Sequence, residues 1–201
     1  LSLHDALPIS ETGYYVDVFR SRKEKGGDKM HDYFYHNLGQ TLTLTAADGS
    51  DLNLQPTEEL AFAGAHLYAY SYLYDKKVAA TAKDVKATFT IDMKDKDGDD
   101  IYMNLWMKGE PDREVFTALA PMTEGLSRTP NMPYNIKEQP TLTFVARQHG
   151  EAWNRPFVSI YEPSTKKEPS AIQSVSYFDA EGAGLEDFAG ICVKSKKDRK
   201  S

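Results

Sequence analysis

Val85-Lys86-Ala87-Thr88-Phe89-Thr90-Ile91-Asp92-Met93-Lys94 alternates apolar and polar residues without a break. Side chains on an extended strand point to opposite faces at period two, so this stretch has one core face and one wet face. Asp95-Lys96-Asp97-Gly98-Asp99-Asp100 follows as turn material, and then Ile101, Met103, Leu105 and Met107 alternate with Tyr102, Asn104, Trp106 and Lys108. The two halves predict a long antiparallel hairpin.

Working outward, further strands are expected at Tyr14–Arg20, Tyr33–Asn37, Thr41–Thr45, Val115–Ala120, Leu142–Gln148, Phe157–Tyr161, Ile172–Phe178 and Phe188–Lys194. Turns rich in Gly, Pro, Asp and Asn separate them, and no amphipathic helix of ten residues stands out. The expected fold is all-β, an antiparallel β-sandwich. Two segments interrupt the strands: Pro56–Tyr74, read as a short helix followed by an aromatic stretch, and Pro121–Pro140, read as a long loop.

The chain has 201 residues, 24 Lys+Arg against 30 Asp+Glu, and a formal charge of −6. That balance argues against a nucleic-acid partner. With 40% hydrophobic residues there is material for one packed domain. The single cysteine, Cys192, excludes an internal disulfide and a multi-cysteine metal cluster. No apolar run reaches the length of a membrane span. Leu1–Ser10 (LSLHDALPIS) matches a translated sequencing adapter and is set aside as non-native, which removes His4 and Asp5 from consideration. Residues 11–201 are then expected to be the sandwich, truncated at both ends.

The richest region for chemistry is Tyr14–Arg20 followed by His31-Asp32-Tyr33-Phe34-Tyr35-His36-Asn37-Leu38-Gly39. If the two strands form a hairpin with Arg20 facing Tyr33, then Phe19 faces Phe34, Asp17 faces His36 and Tyr15 faces Leu38 on one face. A carboxylate and an imidazole between apolar neighbours must bind each other or a cation. Two readings stay open: an Asp17–His36 hydrogen-bonded pair, or a zinc site with Asp17 and His36 as ligands, His31 as a fallback, and a third ligand from elsewhere. The Asp95–Asp100 run fails the calcium-loop pattern, because Met93 and Asn104 would occupy its first and twelfth positions. His149, beside Arg147 and Gly150, could touch an anionic ligand. Tyr68, Tyr70, Tyr72 and Tyr74 alternate as a strand face would, suited to sugar stacking or to packing.

Tyr15-Val16-Asp17-Val18-Phe19-Arg20 with Gly26-Gly27 and His31–His36 resembles the opening of the C-terminal β-sandwich of heparinase II/III-like polysaccharide lyases. Tyr134-Asn135-Ile136, Thr143–Gln148 and Pro156–Pro163 are similar to that family too. The resemblance covers roughly Gly13–Lys194. It implies a parent enzyme with an N-terminal α/α toroid, absent from this chain, and a cleft between toroid and sandwich. There a Tyr/His pair would cleave uronate-containing polysaccharide by β-elimination, in the periplasm or outside the cell. No catalytic residue is assigned to this chain, which alone is expected to be inactive. In some members zinc sits in the sandwich, and carried over its ligands would be Asp17 and His36, with the first ligand unmatched. An acidic chain binding an acidic polymer requires local cations such as Arg20, Arg22, Lys23 and Arg147 to gather at the cleft. The substrate-binding residues expected are Arg22, Arg147 and His149. The alternative is a non-catalytic carbohydrate-binding β-sandwich.

Overall fold

The structure is a computed structural model and describes residues 13–25, 27, 29–60, 68–93, 98–122, 138–179 and 188–196. The strands are β1 (Tyr15–Ser21), β2 (Met30–Asn37), β3 (Thr41–Ala46), β4 (Gln55–Pro56), β5 (Tyr74–Ala80) and β6 (Val85–Ile91). They continue with β7 (Ile101–Met107), β8 (Arg113–Ala120), β9 (Thr141–His149), β10 (Ala152–Thr165), β11 (Ile172–Phe178) and β12 (Gly190–Ser195). A short 3-10 helix spans Tyr68–Tyr72. Two five-stranded sheets, ordered β1-β10-β7-β6-β3 and β2-β9-β8-β5-β4, form an antiparallel β-sandwich, and β11-β12 makes a separate pair.

The alternation at Val85–Met107 gives the predicted hairpin, with Val85 opposite Met107, Phe89 opposite Met103 and Ile91 opposite Ile101. Its apolar face lies between the sheets. There Val85, Phe89, Leu105 and Met107 meet Val115, Phe144 and Phe157, all at most 1% exposed. Each such side chain contributes about 1.5–3 kcal/mol of transfer free energy. The other face of β7 is covered as well, since Trp106 packs with Ile160 and Ile172 beneath β11–β12. Glu162 anchors that hairpin: its buried carboxylate accepts the Ala171 and Ile172 N–H groups at 2.7 and 3.1 Å and the Ser170 hydroxyl. In the turn after β6, Asp100 and Asp99 accept the Met93 and Lys167 N–H groups. Residues 94–97 of that turn, like residues 1–12, lie outside the described residues.

The expected β1–β2 hairpin does not form. β1 pairs with β10, placing Asp17 opposite Ser159, while β2 pairs with β9, placing His36 opposite Thr143. The Arg22–Lys29 connection carries the chain from one sheet to the other, so β1 and β2 face each other across the core. Alternation fixes a strand's faces but not its partner. The Pro56–Tyr74 segment also differs from expectation. A 3-10 helix spans Tyr68–Tyr72, so Tyr70 and Tyr72 sit in a helical turn and not on an alternating strand face, while residues 61–67, where the short helix was expected, lie outside the described residues.

Crossings between the sheets are tight. At Gly39 between β2 and β3, φ is 146°, and a Cβ would stand 2.5 Å from the Thr90 carbonyl oxygen. That oxygen also accepts the Gln40 N–H at 2.9 Å. Glycine is required there by both the conformation and the space.

Candidate functional site

Three polar or aromatic assemblies stand out. The first joins the sheets. From β2, the Tyr33 hydroxyl donates to Asp17 Oδ2 at 2.7 Å and meets the Ser159 hydroxyl at 3.2 Å and the Tyr161 hydroxyl. Its ring stacks on Phe157 at 5.5 Å. Burial pushes the Tyr33 hydroxyl well above its ordinary pKa and raises that of Tyr161, so both remain protonated.

The second covers the outer face of the second sheet. Arg147 grips Asp32 through Nε and Nη2 at 2.7 and 2.8 Å, a two-pronged pair that also holds the guanidinium pKa up. Its Nη1 reaches Glu59 at 3.4 Å, and its guanidinium lies 5.4 Å from the Phe116 ring centroid. Tyr70 donates to Asp32 Oδ2 at 2.6 Å. Next to this network Phe34, His36, Tyr70, Tyr72, Leu73, Ala120 and Pro121 line a groove of about 630 Å³. His36 Nδ1 bonds Thr143 Oγ1 at 2.9 Å, and partial burial of the ring lowers its pKa.

The third occupies the end of the sandwich where β1 leaves and β10 begins. Arg20 donates to the Trp153 carbonyl, and the Arg22 guanidinium lies 4.4 Å from the centroid of the Trp153 ring. Gly150, at φ 79°, turns the chain from β9 to β10 and donates its N–H to the Lys29 carbonyl at 2.9 Å, tying the β1–β2 connection to this turn. Arg155 donates to the His149 carbonyl at 3.2 Å, and His149 Nε2 pairs with Glu114 at 2.8 Å. The Glu151 carboxylate accepts the Trp153 and Asn154 N–H groups. Arg20, Arg22, Lys29 and Arg155 thus stand at one end of an acidic chain, beside the carboxylates of Glu114 and Glu151.

Of the residues singled out in the sequence, Arg22 and His149 stand at this basic end. Arg147 lies on the outer face of the second sheet, 8% exposed and engaged with Asp32. Asp17 and His36 are not brought together. Asp17 points into the space between the sheets, whereas His36, one residue out of phase with Tyr33 and Tyr35 on β2, points to the outer face. A zinc centre holding both does not fit this arrangement. His31 shares the inner face with Tyr33, opposite Gln148. Among the described residues no three His, Cys, Asp or Glu side chains are grouped as a metal would need. Trp153, Arg155 and Lys29 were not singled out. A tryptophan flanked by Asn154 and Arg155 at a strand start is the signal that could have found the first two.

No family model matches the chain. Along 170 residues, 83% of its length, it is 35% identical to an endo-acting ulvan lyase of Formosa agariphila. The chain spans 19% of that protein's length. Among the described residues no helix is long and apolar enough to cross a membrane.

Proposed function

We propose that this chain is the β-sandwich part of a polysaccharide lyase of the heparinase II/III-like type, secreted or periplasmic, which cleaves a uronate-containing polymer by β-elimination. The observation that carries this reading is the 35% identity to an endo-acting ulvan lyase over 83% of the chain. In β-elimination a base removes the proton α to the uronate carboxyl, an acid protonates the departing glycosidic oxygen, and positive charge stabilises the enolate-like transition state. A helical toroid supplies the acid and base, and the sandwich holds the polymer. Its basic end does so through Arg22, Lys29 and Arg155, with Trp153 as a stacking surface and His149 at the margin. Arg147 acts indirectly, by fixing Asp32 and Tyr70. A net-negative protein thereby presents local positive potential to a polyanion.

The test uses the chain and a version extended to include its helical partner, on ulvan, alginate and heparan sulfate. The expected outcome is retention of the chain by at least one polymer without product, and unsaturated-uronate absorbance from the extended protein only. Lack of retention on every polymer, or lack of unsaturated product from the extended protein, would overturn the reading.

A further inference from the structure

The groove on the outer face of the second sheet lies apart from the basic end. On β2 its lining residues Phe34 and His36 lie four and six residues from Met30, about 13 and about 20 Å at strand rise. Its described lining is aromatic, aliphatic and imidazole, with no Lys, Arg, Asp or Glu among the described residues. Its volume of about 630 Å³ falls within the range of ligand sites.

The walls are fixed in place. Tyr70 stands edge-on to Phe34, with centroids 5.2 Å apart and planes at 86°, and Phe34 stacks on His36 at 5.9 Å. Tyr70 is held by Asp32, which Arg147 clamps from two sides. Thr143 orients the imidazole through Nδ1, and Nε2 has no hydrogen bond among the described residues. Tyr72 is 62% exposed at the groove. Rigid rings set at an angle, with one neutral nitrogen, match a sugar ring, which offers a C–H face for stacking and hydroxyls at its edge. Among the described residues the lining is uncharged, which disfavours a carboxylate or sulfate inside the groove, because a buried charge without a partner is costly.

We infer that this groove is a subsite for one uncharged pyranose unit of a polysaccharide whose charged units engage the basic end. The inference rests on the polysaccharide reading above and extends it to a second, charge-independent contact. Two surfaces of different polarity on one chain suit a polymer that mixes charged and neutral sugars.

The test is calorimetric titration of the whole 201-residue chain with ulvan oligosaccharides at low and at high salt, comparing Tyr72→Ala, His36→Gln and Arg22→Glu. Tyr72→Ala removes an exposed ring and should leave folding intact, which circular dichroism would verify. The expected result is binding that persists at high salt, is weakened about tenfold by Tyr72→Ala, and is insensitive there to Arg22→Glu. Equal affinity of wild type and Tyr72→Ala at high salt, or binding confined to low salt and lost in Arg22→Glu, would overturn the groove while leaving the basic end standing. Loss in Tyr72→Ala with no effect of Arg22→Glu at either salt would support the groove and count against the basic end. Failure to bind under both conditions would overturn both.

Discussion

The Tyr33 hydroxyl donates to the Asp17 carboxylate at 2.7 Å across the space between two sheets, although the strands that carry them are not paired with each other. The bond pins β1 to β2 and brings Ser159 and Tyr161 of β10 into the same node. Tyr33→Phe keeps the ring on Phe157 and removes only the hydroxyl. The expected cost is about 1–3 kcal/mol, because a partly buried carboxylate and hydroxyl lose their partner. Urea unfolding checks this, with a lower midpoint at unchanged slope. A midpoint equal to wild type would contradict it.

Arg147 and Asp32 form a buried pair, with side chains 10% and 6% exposed. Arg147→Ala strands the carboxylate and should destabilise the fold by about 3–5 kcal/mol, whereas replacing both partners with apolar residues should cost far less. A double-mutant cycle in thermal denaturation reads the difference. Additive effects of the two single changes would contradict the coupling.

His36 gives the fold a pH dependence of known sign. Its imidazole pKa is lowered by burial, so below about pH 6.5 the unfolded chain takes up the proton before the folded one does. The stabilisation is present above the unfolded pKa and fades as pH falls through the window beneath it. Midpoints of unfolding between pH 5 and 7 should decline toward acid in wild type and less steeply in His36→Gln. Parallel profiles would count against the assignment.

Glu162 holds β11–β12 over Trp106. Glu162→Ala leaves the Ala171 and Ile172 N–H groups without their acceptor and should loosen the hairpin. In a Trp153→Phe background Trp106 is the remaining tryptophan, and its emission should shift to the red as water reaches it. An unshifted spectrum would mean that other contacts hold the hairpin.

The strands with strict alternation were legible from sequence. Val85–Ile91 and Ile101–Met107 pair as the hairpin the pattern implies, because both have one core face and a turn between them. β5 was not legible. Its Tyr-Asp-Lys-Lys-Val-Ala-Ala does not alternate apolar and polar residues, Asp75 has φ 46°, and its pairing with β8 shifts between Tyr74 and Lys77. Strand partners were hidden for a different reason. Asp17 meets Ser159 and Tyr33 meets Ala146 across more than a hundred residues, and nothing local in Tyr15–Ser21 encodes that. For the site, Arg20, Arg22 and Lys23 were visible as a run of charge. Trp153 and Arg155 reach the same end only because the β9–β10 turn folds back to Lys29.

The central claim is that the end carrying Arg22, Lys29 and Arg155 holds a polyanion. The most direct measurement is the affinity of the chain for ulvan as a function of salt, for wild type and for Arg22→Glu with Lys29→Glu. Lys29 is exposed and Arg22 contacts Trp153 from the surface, so both changes should be tolerated. Wild-type affinity should fall steeply as salt screens the contact, and the double variant should bind weakly at low salt with a flatter dependence. Equal affinities and equal salt dependence for the two proteins would contradict the account.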